Sequence, residues 1–166
     1  MERFAYAIAC LAPHPADHIL EIGCGTGQAA VLLHPLIPQG ELYLIDRSDV
    51  MLKKAAKKLP ASVLKERADF PDWKSRKKFD KIFAFNVSDS WGNTGTAFLR
   101  AIAAHLAADG QCWLFHQGPP GSGERLNKEI RIKLKELATG SGLVMKHAEE
   151  KMIHPSPVLA VKFVRE

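Results

Sequence analysis

The sequence predicts a three-layer α-β-α domain on a seven-stranded, mostly parallel sheet that closes with an antiparallel hairpin. Three observations predict it. Short apolar segments of strand length alternate with longer segments of helical period, the pattern of parallel strands covered on both faces. The first strand runs straight into a glycine-rich turn and then a helix. The last two apolar segments are separated by a proline-rich turn rather than by a helix, so they read as a hairpin.

Each element follows from its own residues. An amphipathic helix is expected over residues 2–12, and the first strand over His18 to Ile22. A second helix runs from about Gly27 to Leu36, where Pro35 and Pro38 end it. Glu41 to Ile45 form the second strand. Ser48 then caps a helix that reaches about Leu59, before Pro60. The third strand is Ser62 to Arg67, the polar stretch Asp69 to Lys78 is a loop, and Lys81 to Phe85 form the fourth strand. A helix from about Thr96 to Ala108 is expected to stop at Asp109-Gly110, with the fifth strand over Gln111 to Phe115. The turn-rich stretch Gly118 to Gly123 leads into a helix that ends near Thr139, and the hairpin pairs Leu143 to Met152 with Val158 to Arg165.

The 166 residues are 46% hydrophobic and 25% charged, sufficient for one core and a single domain spanning 1–166. No apolar run has the length of a bilayer span, so no membrane partner is expected. Phe4 to Ala12 is apolar but follows Glu2 and Arg3, and reads as a helix against the sheet rather than a secretory leader. The three cysteines, Cys10, Cys24 and Cys112, are scattered and odd in number, which points to reduced thiols and a cytoplasmic setting. The net charge of +5 comes from clusters at 53–58, 74–78 and 128–135. These read as solvated faces. Nucleic acid is the less favoured partner, because aromatics are not interleaved with the cations as a stacking platform requires. A monomer or a homodimer is expected.

The chemistry concentrates in Ile19-Leu20-Glu21-Ile22-Gly23-Cys24-Gly25-Thr26-Gly27-Gln28. Glycine permits positive φ and lets a ligand lie against bare backbone. The following helix adds oriented N–H groups. In open parallel sheets the ligand sits beyond the carboxyl ends of the strands, where the strand order reverses. Gly25-Thr26-Gly27-Gln28-Ala29-Ala30 also satisfies the looser dinucleotide pattern, with Asp46 about 20 residues on.

Glu21-x-Gly23-x-Gly25-x-Gly27 at the end of a first strand resembles the glycine-rich motif of the class I, Rossmann-like methyltransferases that use S-adenosyl-L-methionine (SAM). The resemblance extends over nearly the whole chain. Asp46 ends the second strand, where the family's acid holds the two ribose hydroxyls. Ala68-Asp69-Phe70 resembles the segment that receives the adenine amino group and ring, and Phe79-Asp80-Lys81-Ile82 opens the fourth strand in the family's manner. The resemblance implies SAM as cofactor, with Glu21, Gly23, Cys24, Gly25, Gly27, Asp46, Arg47, Asp69, Phe70 and Asn86 around it and no metal. Glu21 is expected to act through water or by shaping the loop, Arg47 to stack beside adenine or face solvent. Removing Asp46 is expected to leave ligand-free stability unchanged or raised, because acids grouped at strand ends repel one another.

Methyl transfer needs alignment and exclusion of water more than it needs a base. Acceptor residues are expected after strands four and five and on the first helix. Asn86 and Trp91 follow strand four, His116 follows strand five and is the first choice of base, and His154 in the hairpin is the second. Tyr6 is expected as a lid residue. The acceptor is expected to be a small molecule. The alternatives are RNA or protein methylation through the basic surface, and a SAM-binding module without catalysis.

Overall fold

The computed structural model describes residues 1–121 and 123–166. In chain order the elements are α1 (Glu2–Leu11), β1 (His18–Ile22), α2 (Gln28–Leu33), β2 (Glu41–Asp46), α3 (Asp49–Ala56), β3 (Leu64–Arg67), β4 (Phe79–Phe85), α4 (Gly95–His105), β5 (Leu106–Gln117), α5 (Gly123–Ala138), β6 (Leu143–Ile153) and β7 (Ser156–Arg165). Short 3-10 turns cover His34–Leu36 and Ser88–Ser90. Of the loop expected over Gly118 to Gly123, Ser122 lies outside the described residues.

The seven strands lie in the order β3-β2-β1-β4-β5-β7-β6. β1 to β5 are parallel, and β7 is antiparallel to both of its neighbours. The order reverses between β1 and β4, so the ends of these strands are left apart to form a crevice.

Alternation along the strands builds two cores, one on each face of the sheet. Ile19 of β1, Phe83 of β4 and Trp113 and Phe115 of β5 pack with α1 and α2 through Ile8, Leu11, Ala30 and Leu33. Leu20, Ile82, Cys112 and Leu114 point the other way and pack with α4 and α5 through Phe98, Ile102, Ile130 and Leu134. The three-layer sandwich expected from the sequence is therefore present. The three cysteines are free. Among the described residues no helix is long and apolar enough to cross a membrane.

Several boundaries differ from the sequence expectation. α2 stops at Leu33 and its last turn tightens to 3-10, since Pro35 cannot donate to the helix ladder. α3 ends at Ala56, short of Leu59. The main correction concerns Asp109-Gly110, which does not stop a helix. α4 ends at His105, and Leu106 is drawn into β5 by pairing with Phe79. The ladder resumes at Lys81 with Gln111, so the residues between loop out of register. Strand pairing outweighs the local turn signal there. β5 also runs two residues past Phe115, to Gln117.

The opposite end of the sheet is pinned by the turn before β2. Glu41 N–H donates to the Asp17 carbonyl at 3.1 Å. The Asp17 carboxylate in turn meets Lys81 Nζ at 2.8 Å, in a pair about nine-tenths buried. A β-carbon on Gly40 would lie 2.1 Å from the Asp17 carbonyl oxygen, a backbone atom with little room to retreat. Gly40→Ala should therefore destabilise the fold by roughly 1–3 kcal/mol through overpacking. Urea denaturation measures it, and an unchanged midpoint would mean that the two turns separate freely.

Candidate functional site

The glycine loop turns three times through positive φ, at Gly23 (68°), Gly25 (53°) and Gly27 (73°). It is fixed from β2. The Ile45 carbonyl accepts Gly23 N–H at 2.8 Å and Cys24 N–H at 3.2 Å. Asp46 Oδ2 accepts Gly25 N–H at 2.8 Å, and Asp46 Oδ1 accepts Ser48 N–H at 2.8 Å. Each carboxylate oxygen keeps acceptor capacity for a further donor.

The glycines have different reasons to be glycine. A β-carbon at Gly23 would strike Val87 Cγ2 at 2.6 Å, and one at Gly27 would press on the Ala55 methyl at 3.0 Å. A β-carbon at Gly25 would meet nothing within 4 Å. The outer two let α3 and the loop after β4 close in. The middle one leaves bare backbone facing open space.

Gly23, Asp46, Arg47, Asp69, Phe70 and Asn86 line one open cleft of about 190 Å³ above the crevice. Phe70 is 5% exposed and lies edge-on to Phe98 with ring centres 4.8 Å apart, so it is a fixed apolar wall. Asp69 is exposed at the rim. Arg47 reaches Asp89 at 3.8 Å, a solvent-exposed pair of small energetic consequence.

Glu21 lies on the α1–α2 face, beneath the loop. It is buried, and its Oε2 has no hydrogen-bond partner among the described residues. Burial first, and the Asp46 charge second, push its carboxyl up to about 8. Burial likewise pushes the Cys24 thiol up, well out of the reactive range, so this cysteine packs rather than attacks.

Asn86 has a positive φ of 55°. Its N–H donates to the Phe115 carbonyl at 2.9 Å, its Oδ1 accepts Gln117 N–H at 2.8 Å, and its Nδ2 donates to the Gln117 carbonyl at 3.2 Å. The side chain thus extends the β4–β5 ladder by one residue past the end of β4.

Trp91 and His116 do not line the cleft. His116 shares the face of Cys112 and Leu114 and is buried toward α4 and α5. Its Nδ1 lies 2.8 Å from Asn127 Oδ1. Asn127 Nδ2 donates to Glu150 and to the Pro157 carbonyl, which orients the amide and leaves Nδ1 of His116 as the donor. Trp91 meets the His116 ring edge-on at 4.9 Å. The Tyr6 hydroxyl donates to Glu149 on β6 at 2.7 Å, which ties α1 down. His154 is exposed in the two-residue turn between β6 and β7, at the cleft end of the sheet.

The sequence did not point to Arg3, Phe85 or Gln117. Phe85 lines the cleft, and Arg3 lies against it. Gln117 Nε2 donates to the Ile153 and Ser156 carbonyls at 2.8 and 2.9 Å, and its Oε1 faces Arg3. Strand alternation was the available signal for Gln117, which stands two residues past Phe115.

A glycine turn, an acid ending β2 and a cleft at the strand-order reversal define an α/β domain of the nucleotide-cofactor type. The methyltransferase domain family matches residues 20–112, more than half of the chain, and the chain belongs to that family. Its class is the SAM-dependent, Rossmann-like one. The chain is 42% identical over 93 residues to the trans-aconitate 2-methyltransferase of Acidovorax ebreus, covering 54% of this chain and 35% of that protein. It is 34% identical over 91 residues to the malonyl-[acyl-carrier protein] O-methyltransferase of Anoxybacillus flavithermus, with the same coverage. The chain thus spans about a third of the length of these curated relatives. A TehB-like SAM-dependent methyltransferase from Corynebacterium glutamicum shares the fold at a TM-score of 0.72 and 23% identity, over 98% of this chain and 87% of its own. The magnesium protoporphyrin IX methyltransferase of Synechocystis, solved with bound SAH, does so at 0.70 and 16%, over 99% and 81%. SAM is the cofactor of this family.

Two tests follow from the geometry. Contrary to the sequence expectation, Asp46→Ala should lower ligand-free stability, by about 1–3 kcal/mol, because Gly25 and Ser48 N–H lose their acceptor. Urea midpoints measure it, and a midpoint at or above wild type would restore the repulsion view. Glu21 sets a pH dependence. Its folded pKa near 8 lies above the ordinary 4.5, so its contribution to stability is full below 4.5 and is lost as pH rises toward 8. Glu21→Gln should flatten that decline and be the more stable form at about pH 8. An identical decline in the variant would assign the pH dependence to another group.

Proposed function

We propose that the chain binds SAM along the cleft and transfers its methyl group to a small-molecule acceptor. The observation that supports this best is the open space where a β-carbon of Gly25 would stand, with the Gly25 backbone held by Asp46, a residue that itself lines the cleft with Asp69 and Phe70. The residues present fit the cofactor. Bare backbone at Gly25 meets its amino-acid end. The orphaned Glu21 Oε2 supplies a buried acceptor beneath that end, toward an ammonium group. The remaining lone pairs of Asp46 accept the two ribose hydroxyls, Asp69 accepts the adenine amino group, and Phe70 flanks the ring with Arg47 on the outer side.

Bound there, the cofactor supplies a methyl group on a sulfonium that leaves as a neutral thioether. The chain's part is alignment and shielding. Asn86 holds the ends of β4 and β5 together at the reacting end of the cleft. Trp91 and His116 brace that wall from the α4–α5 side, through Asn127. The base role expected for His116 becomes a positioning role in this reading. The trans-aconitate enzymes name a small organic acid and the malonyl enzyme names a small acyl group on a carrier protein, and neither names a nucleic acid, which supports a small acid or acyl acceptor over RNA.

Calorimetry tests the reading. SAM and SAH should bind in the micromolar range, roughly −8 kcal/mol, and NADH should not bind. Gly25→Val should remain folded and lose SAM binding, since a β-branched side chain disfavours φ of 53° and fills the open space. Tight NADH binding without SAM binding would overturn the proposal, as would normal SAM affinity in folded Gly25→Val.

A further inference from the structure

We propose that Arg3 is the recognition residue for a carboxylate on the acceptor, so that the substrates of this site are small organic acids. The inference rests on the SAM reading of the cleft. It starts from how Arg3 is held. The guanidinium carbon lies 4.7 Å from the Phe4 ring centre and 5.4 Å from that of Phe85, and the two rings are themselves 5.2 Å apart. Phe85 is a cleft residue. The guanidinium is thus laid against an apolar wall, half-buried, beside the cleft. Its hydrogen bonding is far from filled. The one contact is a long one, 3.4 Å from Nη1 to Gln117 Oε1, and among the described residues Arg3 forms no ion pair. A guanidinium offers five N–H donors in a fork that matches a carboxylate. Partial desolvation by two aromatic rings strengthens such a pair.

The support for Arg3 is rigid. Gln117 cannot turn its amide, because Nε2 is held by two carbonyls that flank the β6–β7 turn. Oε1 therefore faces Arg3, whose other guanidinium nitrogens form no hydrogen bond among the described residues. α1 is also anchored at Tyr6, through Glu149.

Position separates an acceptor carboxylate from the cofactor's own. The ligand reading places adenine and ribose over β3 and β2, and the amino-acid end at the β1 loop. Gln117 lies two strands beyond β1, at the end of β5. Two strand spacings are roughly 10 Å. Arg3 therefore stands on the acceptor side of the reacting end. The rest of the cleft is acidic, with Asp46, Asp69 and Asp89 along it and Arg47 already turned to Asp89. An acidic acceptor is repelled from the ribose end and drawn to Arg3, which fixes its direction of entry.

The test combines Arg3→Gln and Arg3→Lys with two measurements. SAH affinity is taken by calorimetry, and SAH formation from SAM is followed with tricarballylate, malonate and succinate, each beside its neutral amide. The proposal expects at least one acid to drive turnover and its amide to fail. Arg3→Gln should raise KM for the acid roughly 10- to 100-fold, with kcat changed less. Arg3→Lys should recover part of that loss, and SAH affinity should stay within about twofold in both variants. Three outcomes would overturn it: no acid supports turnover, the KM is indifferent to Arg3→Gln, or SAH affinity falls with the loss of Arg3, which would assign the carboxylate to the cofactor. Failure of the wild-type chain to bind SAM would instead sink the reading of the cleft itself.

Discussion

The Asp46 carboxylate joins the glycine loop after β1 to the start of α3. One oxygen holds Gly25 in the loop after β1, and the other holds Ser48, whose own hydroxyl accepts Met51 N–H at the start of α3. The Asp46 carbonyl accepts Ala68 N–H from the segment after β3. Loop, helix start and cleft rim thus take their positions from the end of one strand. A glycine loop alone has too many conformations to present a defined surface. It becomes a site here because β2 arrives beside β1 in a register, Ile22 opposite Ile45, that delivers a carboxylate to its middle.

The second organising constraint is the two-residue period of the strands. On β5, Trp113, Phe115 and Gln117 look toward α1, while Cys112, Leu114 and His116 look toward α4 and α5. The two polar residues at the tip consequently serve different walls. Gln117 faces Arg3 on one side of the sheet, and His116 and Asn127 form a buried pair on the other. Asn86 bridges the same tip along the sheet itself. Both faces of the β4–β5 tip are thereby stiffened by amide side chains whose orientations their partners dictate.

Much of this was legible in the residues. The glycine turn, the acids ending β1 and β2 and the closing hairpin are local patterns, and the strands and helices they mark are where they were expected. The departures occur where long-range pairing decides. Leu106 reads as helix by its neighbours, yet it pairs with Phe79 and starts β5. Asp46 looked repulsive among acids because its two backbone donors are supplied by the folded loop. His116 could be placed on a strand end from sequence, but not on a face, since the face depends on which side α4 and α5 cross. Arg3 and Gln117, 114 residues apart, share no pattern that periodicity could reveal.

One feature of the sheet bears on how the molecule is made. β7 follows β6 in the chain but lies between β6 and β5. Translation is vectorial, while a domain generally folds as a unit. β6 therefore has no seat when it leaves the ribosome, and β5 waits with an open edge until β7 arrives. Gln117 gains its Ser156 partner at the same moment. The β5 tip is consequently closed only by the last strand, whereas Gly25, Asp46 and Ser48, which anchor the glycine loop, all precede β3 in the chain. The two ends of the cleft thus draw on segments that leave the ribosome far apart in time, yet they belong to one cooperative sheet.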